Sequence, residues 1–74
     1  MNEEERLVAI VSPWDNLGKL VKRGFRVQSL PREKKVLVWR VDLQGEADLT
    51  QAIREAGISA IEIRRGKVVV QWDG

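Results

Sequence analysis

Two stretches of this chain are apolar on both sides of an extended pleat, and nothing else in the sequence constrains the fold as tightly. In residues 7–11 (LVAIV), Leu7, Ala9 and Val11 alternate with Val8 and Ile10, so neither face is polar. In residues 35–41 (KVLVWRV), Leu37, Trp39 and Val41 point one way and Val36 and Val38 the other. A strand of this kind has to be covered on both faces. The first stretch is therefore expected mid-sheet, as a buried strand of the parallel type.

Helix signals fall between the strand signals. Ser12, Pro13 and Asp15 read as a cap, a first helical residue and a capping-box partner, followed by Trp14, Leu17, Leu20 and Val21 on one face and Lys19, Lys22 and Arg23 on the other. Gly24 stands where that helix should end. Residues 25–30 alternate up to Pro31, and residues 35–41 resume after the polar link 31–34, which predicts a hairpin. Asp48 is expected to cap a second helix with Leu49, Ala52, Ile53 and Ala56 on its apolar face and Gly57 at its exit. Residues 58–64 and 67–72 read as two more strands joined by a tight turn at Arg65-Gly66.

The resulting order, β-α-β-β-α-β-β, predicts an α+β two-layer sandwich. It is the ferredoxin-like split βαβ arrangement, with two helices on one face of a mostly antiparallel sheet and an extra C-terminal strand. Residues 1–6 read as an acidic tail and residues 7–74 as a single domain. Two helices cover one sheet face only, so Val36, Val38, Trp39, Val69 and Trp72 are candidate interface residues. Two-fold pairing of identical faces would close such a patch, which makes a homodimer the expectation. The alternative is that a C-terminal hairpin folds back over its own sheet.

Composition excludes much chemistry. In 74 residues there is no His, Cys or Tyr, which removes the imidazole base, thiolate nucleophiles, disulfides and the usual zinc, copper and iron-sulfur ligand sets. Neither the phosphate-binding loop nor the dinucleotide fingerprint occurs, because the glycines punctuate turns and helix ends. Asp42, Glu46 and Asp48 crowd one loop, but their spacing fits no calcium loop, and Asp48 serves better as a cap. No cofactor, metal or catalytic residue is expected. No export signal is visible and no apolar run approaches the roughly 20 residues of a membrane span, so no membrane partner and a cytoplasmic location are expected.

Charge carries the functional signal. Residues 16–40 hold eight basic side chains against Glu33 alone, whereas residues 41–62 hold five acids against Arg54 alone. Lys19, Lys22, Arg23 and Arg26 share the outer side and end of the first helix, and Arg64, Arg65 and Lys67 gather at the expected hairpin tip. Either cluster can face nucleic-acid phosphates, and either can equally be solvated cover. Lys22-Arg23-Gly24-Phe25 resembles the opening of the RNP1 motif of RNA-recognition domains. That family places the motif on a strand with stacking aromatics, while here it falls at a helix exit without an aromatic on the first strand, so no role is carried over. Trp39 and Trp72 alternate in phase with aliphatics and read as core residues rather than a stacking platform. Trp14, second in its expected helix, would be half exposed.

These features predict a non-catalytic module that self-associates and binds RNA or DNA. The alternative is a protein-interaction or assembly subunit that uses an apolar sheet face.

Overall fold

The computed structural model describes residues 2–70. They form a small α+β domain in which four strands make one antiparallel sheet accompanied by two helices. In chain order the elements are β1 (Asn2–Val11), α1 (Leu17–Lys22), β2 (Arg26–Leu30), β3 (Lys35–Trp39), α2 (Glu46–Glu55) and β4 (Glu62–Val70). The sheet order is β2-β3-β1-β4, with β1 central as its two-sided apolar run requires. Every pairing is antiparallel, so β1 is not a strand of the parallel type. The inference failed because burial on both faces identifies a covered strand without saying what covers it.

The two helix exits follow one rule. Gly24 (φ 87°) and Gly57 (φ 80°) adopt the left-handed conformation one residue beyond each helix cap. The next residue in each case, Phe25 or Ile58, donates its amide back to Leu20 or Ile53, while the glycine amide bonds Val21 or Arg54. This Schellman closure satisfies the last carbonyls and turns an apolar side chain into the core. Phe25, Leu20, Ile58 and Ile53 are all buried there.

The helix entries differ from the sequence reading. Ser12 does cap, but it caps a turn: its carbonyl accepts from the Asp15 amide at 3.1 Å and its hydroxyl from the Trp14 amide at 3.2 Å. Helix α1 starts only at Leu17, with Asn16 as its N-cap residue. Similarly α2 starts at Glu46 after Gly45, which puts Asp48 in the first turn rather than at the cap. Both acids there still oppose the positive end of the helix.

The largest departure is at the C-terminal end. No turn occurs at Arg65-Gly66, and β4 is one continuous strand paired with β1 from Glu62 opposite Ile10 to Val70 opposite Asn2. Residues 2–6, read as a tail, are the outer half of β1. One opposite-charge pair supports this register: Glu5 lies directly opposite Lys67 and approaches Arg65 at 3.6 Å, while Glu3 and Glu4 face Val69 and Val68. Gly66 serves a close approach instead of a turn, since a Cβ there would stand 3.3 Å from Val8 Cγ2.

The core has two parts. Ala9, Val11, Val36 and Val38 of the sheet are buried with Leu20 of α1 and Leu49 and Ile53 of α2. On the opposite face Val8, Ile10, Leu37 and Trp39 are buried with Val68 of β4. The outer β1/β4 ribbon curls over this second face far enough for the Val69 amide to donate to Gln28 Oε1 on β2 at 3.0 Å. One edge strand's amide is thus satisfied by a side chain from the other. The face expected to need a second copy is filled from within, and it is covered by a returning strand end rather than a hairpin. Trp39 is 5% exposed.

The Gln28 bond makes a testable demand. Gln28→Ala should cost about 1 kcal/mol in chemical denaturation, the usual loss for one hydrogen bond. Amide exchange should accelerate at Val69 and Val68 while the β2–β3 hairpin keeps its protection; unchanged exchange at Val69 would show that the ribbon is held by burial alone.

Candidate functional site

The basic residues picked out on α1 and at the start of β2 are near in sequence but divided by the sheet: α1 packs on the Val36 and Val38 face, while Arg26, opposite Trp39, is on the other. Lys19 and Lys22 lie on α1, Arg23 is its C-cap and Arg26 opens β2; all four are exposed. Among the described residues none of them is in an ion pair, since the pairs there are Arg40 with Asp42, Arg64 with Glu62 and Arg65 with Glu5. The tetrapeptide Lys22-Arg23-Gly24-Phe25 is the helix closure described above. Phe25 is buried and unavailable for base stacking.

Arg40 organises this corner. Its Nε and Nη2 hold Asp42 at 2.7 and 3.1 Å, its Nη1 donates to the Arg23 carbonyl at 3.1 Å, and its guanidinium lies over the Phe25 ring, 5.2 Å from the centroid. The α1 exit is thereby tied to the end of β3, and the Arg40 charge is spent on Asp42. That hydrogen bond in turn holds the Asp42 carboxyl below its ordinary 3.8. Asp42 is committed to an arginine, and among the described residues no three acidic side chains converge as a metal site would need.

The second basic cluster is dispersed. With β4 extended, Arg65 and Lys67 share one face of the strand, and Arg64 lies on the other, 3.9 Å from Glu62. Arg65 is engaged by Glu5 and Lys67 faces the same acid across the ladder. The interface candidates fare similarly. Val36 and Val38 belong to the core beneath the helices, Trp39 to the second core, and Val69 is half-buried beside Gln28; Trp72 lies outside the described residues.

Two features escaped sequence reading. Trp14, displaced from the helix by the Ser12 turn, is 91% exposed. Pairing of Val11 with Val36 and of Leu30 with Lys35 brings the segment after β1 beside the β2–β3 turn, which carries Arg32 and Lys34. There Pro13, Trp14, Ser29, Leu30, Pro31, Lys34 and Lys35 line an open groove of about 430 Å³. Ser-Pro-Trp-Asp is also a good type I turn, with Pro in its second position, and that signal could have placed Trp14 outside the helix.

The basic side chains consequently flank both ends of edge strand β2, whose five residues span about 17 Å. Lys22, Arg23 and Arg26 stand at one end, and Arg32, Lys34 and Lys35 at the other. Glu33 is the one acid on α1, β2 or the turn that follows β2. The remaining acids lie chiefly on β1, α2 and β4. No protein-family model matches the chain, no curated protein matches its sequence and no solved structure matches its fold.

The Arg40 arrangement has a pH signature. A folded value below 3.8 means that Asp42 contributes stability fully above that pH and loses it as pH falls through the lowered value. Arg40→Met should raise the Asp42 titration, followed by carboxyl-carbon NMR, toward its ordinary range and remove Arg40's share of the acid-side stability loss. An Asp42 titration unmoved by the substitution would mean that Arg40 does not hold it.

Proposed function

We propose that this domain is a non-catalytic module that binds nucleic acid along the α1–β2 edge, with Lys19, Lys22, Arg23 and Arg26 contacting phosphates. The observation that carries the reading is that these cations are exposed, close in sequence at the α1–β2 edge and free of acidic partners among the described residues, whereas Arg64 and Arg65 of β4 are engaged by Glu62 and Glu5. Cations held in place by a capped helix exit meet a polyanion without first giving up an internal partner. The exposed Trp14 beside Lys34 and Lys35 adds the aromatic component common at single-stranded sites.

The succession βαββαβ and the order β2-β3-β1-β4 support reading the architecture as a ferredoxin-like split βαβ sandwich without the fifth strand. Self-association through the sheet face is not part of the proposal, because Trp39 and Leu37 are covered within one chain. The competing reading, a protein-assembly subunit, is favoured by the unpaired edge of β2, which can add a strand from a partner.

A charge-neutralised variant separates the two. In fluorescence anisotropy with a labelled single-stranded oligonucleotide, Lys22→Gln combined with Arg23→Gln and Arg26→Gln should weaken binding at least about tenfold at low salt. It should also reduce the slope of log affinity against log salt by about 2, as expected for three lost phosphate contacts. Equal affinities for variant and wild type, with no salt dependence, would refute the nucleic-acid reading and leave strand addition at β2.

A further inference from the structure

Resting on that reading, we infer that the groove between the Ser12 turn and the β2–β3 turn receives one unpaired nucleobase, stacked on Trp14 with its neighbouring phosphate on Lys34 and Lys35. Three observations converge. The indole is 91% exposed yet carried on an ordered turn, held by the two hydrogen bonds to Ser12, so an aromatic face is presented to solvent at little ordering cost. The groove, about 430 Å³ and within the ~300–1,000 Å³ of small-ligand clefts, pairs apolar walls from Pro13, Trp14, Leu30 and Pro31 with two lysines, and no acidic residue lines it. A planar apolar ring joined to an anion complements that lining.

The third observation is the backbone at Lys34, whose φ of 55° makes it the one non-glycine residue in the left-handed region among the described residues. Glycine or asparagine holds such a position with less strain. A lysine there places a cationic residue in the lining of the groove at the expense of turn stability, a trade found at binding sites. Neither Trp14 nor Lys34 belongs to a core cluster, so both can be changed without opening a cavity.

The test compares a short oligothymidylate with an abasic chain of the same length, which keeps the phosphates and lacks the bases. Wild type should bind the thymidylate about tenfold more tightly than the abasic chain, the scale of one stacked base. Trp14→Leu should lose that preference and bind both chains as wild type binds the abasic one. Lys34→Gly should weaken both equally while raising the melting temperature. If wild type binds the two chains equally, with steep salt dependence, the base site is refuted and the phosphate reading stands. If neither chain binds even at low salt, the nucleic-acid reading itself falls, and the base site with it. A Trp14→Leu variant that keeps the full preference for bases also overturns the assignment of the groove.

Discussion

Burial of Trp39 governs this structure. A four-stranded sheet carries apolar side chains on both faces, and the helices bury their apolar residues with one of them. Leaving Val8, Ile10, Leu37 and Trp39 in water would forfeit several kcal/mol by the usual ~25 cal/mol per Å² of apolar area, a large share of the stability of so small a domain. The outer half of the β1/β4 ribbon supplies the missing cover by coiling back until Val68 closes over the tryptophan. Gly66 lies close against Val8, the Glu5 carboxylate meets Arg65 and faces Lys67 across the ladder, and Gln28 accepts the amide that the coil brings across.

That closure also decides what remains outside. Because the second face is used internally, the large apolar side chains left exposed among the described residues are Trp14, at its groove, and Val21, Val41 and Ile61. The β4 cations are drawn into the ribbon's own charge pairing, while those of α1, β2 and the β2–β3 turn have no such role. Charge patterning along the chain thus becomes a basic border along one sheet edge, unpaired among the described residues, and a ribbon with ion pairs of its own along the other. The proposed polyanion contact rests on this local electrostatic difference.

Much of the fold was legible because its signals are local. The β2–β3 hairpin follows from period-two alternation around Pro31, and both helix exits follow from a glycine ahead of a large apolar residue. The cations of α1 were legible for the same reason, since spacing along a helix places them on its outer side. The entry to α1 was ambiguous on local grounds, because Ser-Pro-Trp-Asp satisfies both a turn and a helix cap, and the Ser12 bonds close the turn. Arg65-Gly66 was misread because a glycine after an arginine signals a turn when considered alone. Its actual role depends on Val8, far away in sequence.

What the sequence alone determined is therefore the class of protein: a small α+β chain without imidazole or thiol chemistry, with a central two-sided strand and a basic first half. These properties depend on residue identity and near-neighbour periodicity, which are present before folding. Only the tertiary structure decided that residues 2–6 are strand and not tail, that β4 is unbroken, that the apolar face closes on itself and that Trp14 is exposed beside Lys34. Each of these depends on contacts between distant segments, where strand pairing and the burial of Trp39 outweigh local turn and helix preferences that differ by only about 1 kcal/mol.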